Sequence, residues 1–149
     1  PMLDPRMLKE LTEGFIADRD ADSATVCVPI SSPEDLANPD IVKVVRAQNG
    51  RALYFSRSLI PYPRKKTGCP VYEHLGIYAF TKDFLLKFVE LPPTPLMEME
   101  SLEQLRILEH GYTMAVIPTK YPSQGPNVNT PADVEKIRRI LEKEKSGNR

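Results

Sequence analysis

Apolar positions change period several times along the chain, and each change marks an element. Leu8, Leu11 and Phe15 recur at helical spacing. Asp4-Pro5 ahead of them supplies an N-cap and a first-turn proline, which predicts a helix over 5–17. Residues 23–30 (SATVCVPI) are rich in β-branched side chains and read as a strand. Residues 32–35 have the S-x-x-D form of a capping box and open a short helical turn. Two further strand-like runs, 41–47 and 52–58, flank Asn49-Gly50, the strongest short-range signal for a hairpin.

After a proline-flanked loop over 60–70, the run HLGIYAF at 74–80 reads as a strand, and Thr81 can cap a helix reaching to Glu90. Pro92, Pro93 and Pro95 then force an extended break. Residues 96–110 give the clearest helical pattern, closed by Gly111 at the C′ position. A strand follows over 112–119, then a loop over 120–128. Residues 130–133 form a second capping box, which opens a final helix. Strands alternating with helices predict the α/β class, and the antiparallel hairpin makes the sheet mixed. The expected organisation is one α/β domain over 1–145 and a frayed tail over 146–149.

Composition narrows the function classes. In 149 residues, Lys plus Arg (20) balances Asp plus Glu (20), giving zero formal charge. A nucleic-acid binder needs a basic face to displace counterions, so no nucleic-acid partner is expected. No apolar run approaches the roughly 18 residues of a membrane span. No signal peptide opens the chain, so no membrane association and a cytoplasmic location are expected. Cys27 and Cys69 lack C-x-x-C spacing, which argues against a zinc site or a disulfide framework. The fifteen prolines mark firm boundaries between short elements. Pro1 fits removal of an initiator Met or a piece of a longer chain.

The glycine-rich phosphate loops, the nucleophile elbow and the H-E-x-x-H signature are missing from this sequence. Chemistry must rest on polar residues that structure alone would not place. By strand alternation Arg57 shares a face with Leu53 and Phe55. Its fork suits a carboxylate or phosphate ligand, or else an internal salt bridge. His74 and Tyr78 share a strand face, about 13 Å apart at strand rise. Gly76 between them leaves room for a ligand, though both side chains also suit a purely structural role. Glu100, Glu103 and Gln104 form an i, i+3, i+4 group on the 96–110 helix, either a site or a solvated face where Glu103 pairs with Arg106. Arg64, Lys65 and Lys66 are a phosphate clamp or a solvated turn, and Asn129 adjoins the last helix N-terminus.

Taken together, the blocks NPDIVKVV, GRALYFSRSLIPYPR, HLGIYAF, PPTPLMEMESLEQLR and VNTPADVEKIR, in this order, resemble CMP-KDO synthetase (3-deoxy-manno-octulosonate cytidylyltransferase) from Pro1 to about Leu141. The resemblance implies a partial three-layer nucleotide-diphospho-sugar transferase-like fold with a β-hairpin insertion. It also implies transfer of CMP from CTP to the acid sugar KDO with release of pyrophosphate, for lipopolysaccharide biosynthesis. Magnesium would neutralise the phosphates. Arg57 and His74 would bind the acid sugar, with Tyr78, Glu103 and Gln104 completing its pocket and Arg64 as a further candidate. The family is homodimeric, with the strand region between Tyr54 and Phe80 as the expected interface.

Two departures bear on these expectations. The family's CTP-binding half, with its L-P-x-K loop and G-D-E-P motif, precedes the region matched here. A family aspartate that binds magnesium falls at Asn129, which offers a carbonyl oxygen but not the charge a hard cation prefers. This 149-residue chain alone is therefore expected not to turn over CTP. The alternatives are a catalytically silent remnant that keeps an acid-sugar pocket or a dimerisation surface, and a cytidylyltransferase for a related acid sugar.

Overall fold

In the computed structural model, which describes residues 3–65, 67–121, 134, 135, 137–140 and 142, the chain opens as its caps dictate. Helix α1 (Pro5–Ala17) starts where the Asp4 carboxylate accepts the Arg6 N–H at 2.9 Å. It buries Met7 and Leu11 and turns its polar positions to solvent. Then follow β1 (Ser23–Pro29), α2 (Pro33–Ala37), β2 (Lys43–Arg46), β3 (Ala52–Ser56), β4 (Tyr72–Phe80), α3 (Lys82–Glu90), α4 (Pro95–Glu100), α5 (Leu105–Glu109) and β5 (Met114–Pro118). Residues 134, 135, 137–140 and 142 are helical, and Ile137 is buried.

The strands form one mixed sheet in the order β3-β2-β4-β1-β5, with β1 parallel to β5 and the other pairs antiparallel. Period-two alternation divides its residues between two cores. Ala24, Val26 and Ala115 face α1, with Leu75, Ile77 and Ala79 packed beside them. Cys27, Val44, Phe55, Met114 and Val116 face the other way and meet Phe84 and Phe88 of α3 and Leu105 and Ile107 of α5. Helices thus cover both faces, giving three layers. The expected α/β class and mixed sheet are what the structure has.

The hairpin forms where Asn49-Gly50 places it. Ala47 N–H donates to Arg51 O (2.8 Å) and Gly50 N–H to Ala47 O (3.0 Å). Gly50 sits at φ 87°, the left-handed position such a three-residue loop needs. The tip reaches across to β5, where Val116 N–H donates to Gly50 O (2.9 Å) and Arg46 Nε to Val116 O (2.8 Å). In β3, alternation gives no uniformly apolar face: Phe55 is fully buried while Leu53 is 60% exposed. The strand ends at Ser56, so Arg57 follows the strand instead of closing its apolar face.

The single helix expected over 96–110 is two. α4 ends in a Schellman turn: Ser101 is left-handed (φ 52°), its N–H donates to Glu98 O (3.3 Å), and Leu102 N–H donates to Met97 O (3.0 Å). Distant groups hold this break. The Glu109 carboxylate accepts the N–H groups of Leu96 and Met97 (both 3.1 Å) at the start of α4. Arg57 Nε donates to Glu100 O (2.8 Å) at its end. Gly111 terminates α5 at φ 80°, as the sequence predicts. No helix among the described residues is long and apolar enough to cross a membrane.

At Gly14, α1 packs directly against Ile117 of β5. A Cβ there would stand 2.6 Å from Cδ1 and 2.9 Å from Cγ1 of Ile117. Gly14→Ala gains about 1 kcal/mol of helix propensity but meets an overpacking cost of about 1–3 kcal/mol. The expected outcome is a net loss of roughly 1 kcal/mol in denaturant unfolding, whereas an unpacked helix face would show a gain.

Candidate functional site

The site grows out of an irregularity in β4. Thr25 of β1 lies opposite Tyr78, but the next residue, Val26, lies opposite Leu75. Three steps along β4 therefore match one step along β1, and Gly76 and Ile77 bulge out. Because the shift is two residues, the faces keep their sense: His74, Tyr78 and Phe80 stay on one side while Leu75 and Ile77 stay against α1. The bulge also draws the two polar side chains together. Their rings are 5.5 Å apart between centroids, far closer than an unbroken strand allows. Space beside Gly76 is open: nothing lies within 4 Å of where a Cβ would stand.

A directed chain of hydrogen bonds links these side chains. Tyr78 O–H donates to Gln104 Oε1 (3.3 Å), and Gln104 Nε2 approaches His74 Nδ1 at a long 3.5 Å. His74 Nε2 lies 2.9 Å from Thr25 Oγ1. Gln104 reaches this position because the break at Ser101 re-aims the residues that follow it, setting Gln104 at the N-cap of α5. A ladder of rings backs the polar groups. Phe55 meets His74 edge-on at 4.9 Å, and Phe80 stacks between Tyr78 (6.1 Å) and Phe88 (5.6 Å). Beside them lies a cavity of about 110 Å³ lined by Tyr78, Phe80, Phe88, Glu103, Gln104 and Ile107. That is smaller than a usual small-molecule site of roughly 300–1,000 Å³, so it can seat only part of a sugar.

Electrostatics fix the protonation states. Burial pulls His74 down to about 4, so its imidazole is neutral near neutral pH. Burial, with Glu103 nearby, pushes Tyr78 up to about 12, which keeps the phenol a donor.

The other expected site residues divide. Glu103 is largely exposed and pairs with Arg106 at 3.2 Å, as its bland reading had it, though it also borders the cavity. Glu100 does not share the Gln104 side. Its carboxylate turns to the end of β3, accepting Ser56 O–H (2.6 Å) and Arg57 N–H (3.0 Å). The Arg57 guanidinium forms no salt bridge among the described residues. It donates to three carbonyls: Glu100 O (2.8 Å), Pro39 O (3.0 Å) and Ser101 O (3.4 Å). With five N–H groups on a guanidinium, two remain for a ligand. Arg64 is exposed on the loop before β4, where its backbone N–H donates to Tyr62 O (2.9 Å). Asn129 lies outside the described residues.

Among the buried polar residues that escaped the sequence reading, Thr25 and Lys43 border the site region. Thr25 is hidden inside a β-branched run, where a threonine looks like strand filler. Lys43 is fully buried, its ammonium donating to Asn38 O (2.6 Å) and Arg57 O (3.2 Å), and burial lowers its pKa. A lysine inside the run IVKVV was the available signal.

A sequence profile described as cytidylyltransferase matches residues 1–120. The chain belongs to that family. It is 42% identical over 142 residues to the 3-deoxy-manno-octulosonate cytidylyltransferase of Acaryochloris marina, covering 95% of this chain and 57% of that protein. It is 46% identical over 137 residues to the enzyme of the same name from Synechococcus elongatus, covering 91% and 55%. A solved structure of CMP:2-keto-3-deoxy-manno-octonic acid synthetase complexed with CTP matches with a TM-score of 0.87 at 40% identity, covering 97% of this chain and 58% of that one. The expected family is the one shown, and the chain spans a little over half the length of these relatives.

The buried histidine makes stability depend on pH. Folding lowers the His74 pKa from 6.5 to about 4, so the unfolded chain takes up the extra proton as pH falls through that window. Stability is then lost on acidification. Between about pH 7.5 and about pH 5, the native protein should lose about 2 kcal/mol more than His74→Gln does in denaturant unfolding. Parallel pH profiles for the two proteins would contradict a neutral buried imidazole.

Proposed function

We propose that this chain carries the acid-sugar-binding part of an enzyme that transfers CMP from CTP to KDO, releasing pyrophosphate, in cytoplasmic lipopolysaccharide biosynthesis. The observation that carries the reading is the directed chain from Tyr78 through Gln104 to His74, set on an aromatic wall beside a small cavity. Alternating donors and acceptors against apolar rings match a polyol's hydroxyls and C–H faces. Arg57 supports the acid part of the ligand, because among the described residues it has two N–H groups left over and no carboxylate partner for its guanidinium, which suits a carboxylate ligand. It lies two residues beyond Phe55, whose ring meets His74. Its partners Ser101 and Glu100 lie three and four residues before Gln104. The proposed pocket therefore comprises Arg57, His74, Tyr78, Glu103 and Gln104, with Arg64 on the exposed loop as an outer contact.

In the reaction, the anomeric hydroxyl of the sugar attacks the α-phosphate of CTP and pyrophosphate leaves. The contribution of this chain is to hold the sugar and fix its orientation, the dominant means of catalysis in phosphoryl-type transfer. Magnesium is part of the proposal, supplying charge neutralisation at the phosphates when bound. No group of three or more His, Cys, Asp or Glu side chains among the described residues could hold a metal ion. A homodimer is likewise proposed. Leu53 of β3 (60% exposed) and Tyr62 on the loop before β4 (82% exposed) are side chains that such pairing would cover.

Calorimetric titration of KDO tests the site directly. The native chain should bind, while Gln104→Ala and Tyr78→Phe should each weaken binding roughly tenfold, the worth of one hydrogen bond to a buried polar group. A native protein that gives no heat with KDO, or binds a related acid sugar and not KDO, would overturn the assignment.

A further inference from the structure

Thr25 is fully buried and no ligand would touch it, yet its hydroxyl bears on what the site presents. Its Oγ1 has three polar neighbours: Ile77 O at 2.8 Å, Leu75 O at 3.2 Å and His74 Nε2 at 2.9 Å. Two are carbonyl oxygens, which only accept, and the bulge of β4 is what brings both to the same hydroxyl. A threonine has one proton to give. That proton goes to a bulge carbonyl, Ile77 O being the nearer, which leaves the hydroxyl oxygen only an acceptor towards the imidazole. His74 must then carry its proton on Nε2. A neutral imidazole has only one, so Nδ1 is bare and accepts.

We propose that Thr25 is a positioning residue for sugar recognition: it locks His74 in the Nε2–H tautomer and so presents Nδ1 as a fixed hydrogen-bond acceptor in the site. This rests on the acid-sugar reading given above. The consequence is a division of labour within the pocket. Nδ1 repels a carboxylate and welcomes an O–H, so His74 takes a sugar hydroxyl and leaves the acid group to Arg57. The ligand hydroxyl has little to displace, since the Gln104 amide approaches Nδ1 only at 3.5 Å. Lowering of the His74 pKa by burial agrees with this, because a doubly protonated ring would have no acceptor to offer.

Two-bond 1H–15N correlation of the histidine rings reads the tautomer without any ligand, and there are only two histidines to separate. His110, whose Nε2 lies 3.1 Å from Pro92 O away from the site, is assigned by its loss in His110→Gln. The native protein should show His74 with a pyrrole-type Nε2 and a pyridine-type Nδ1. Thr25→Ser should keep that pattern and native KDO affinity. Thr25→Val, where it keeps the native fold by backbone amide spectra, should lose the single tautomer and bind KDO at least tenfold more weakly. If Thr25→Val does not fold, the native spectrum and Thr25→Ser decide the matter. A native Nδ1–H tautomer, a changed tautomer in Thr25→Ser, or a Thr25→Val protein with native tautomer and affinity would each overturn the proposal. An Nε2–H tautomer in a native protein that does not bind KDO would uphold the lock and overturn the sugar assignment instead.

Discussion

The ladder between β1 and β4 runs through seven paired positions, and the placement of the other elements follows from it. β4 must match β1 on one edge and take up β2 on the other, where Tyr72 and Glu73 pair with Val44 and Lys43. It must also divide its side chains between two cores of different character. An insertion of one residue would have exchanged those faces, sending Tyr78 and Phe80 into the α1 layer. Two inserted residues leave the division intact and shorten the distance between polar groups on the functional side. A carbonyl freed at the bulge would be a liability in a buried sheet, and the Thr25 hydroxyl meets that need at Ile77 O.

The second organising contact is Arg57 on the end of α4. A guanidinium bonded to carbonyls at a helix C-terminus opposes the negative end of the helix dipole. Here it also joins the last residue pair of one hairpin to the segment that delivers Gln104. Ser56, Glu100 and Arg57 thus couple β3 to the α4–α5 corner, and buried Lys43 holds the same stretch through Arg57 O. A side chain with this much structural work can still face a ligand, because a planar fork has more donors than one helix end requires.

Much of this was legible in the chain. Asp4-Pro5, Asn49-Gly50, Thr81 and Gly111 each act through local backbone chemistry, and local chemistry is what a sequence displays. The break at Ser101 was not legible. It lies within a run of good helix formers, and what interrupts it comes from Arg57, more than forty residues earlier. The bulge of β4 was hidden for a related reason, since register is a property of a pair of strands and Gly76 hints at irregularity without stating its size. Arg57, His74 and Tyr78 stand out as polar residues on strand-like runs, Gln104 only as one of a polar group on a helix, and their expected pocket roles came from the family resemblance. Thr25 does not stand out, because threonine belongs in a strand on propensity alone.

The tip of the hairpin has an effect on how copies of this chain can meet. Among the described residues β5 is the last strand in the sheet order, and a bare last strand is a template on which other chains can stack. Here Gly50 O takes the outward N–H of Val116 and Arg46 takes its carbonyl, so the middle of β5 has nothing left to offer a foreign backbone. A turn chosen for its left-handed glycine therefore also serves as a stopper against fibrous growth of the sheet in that direction.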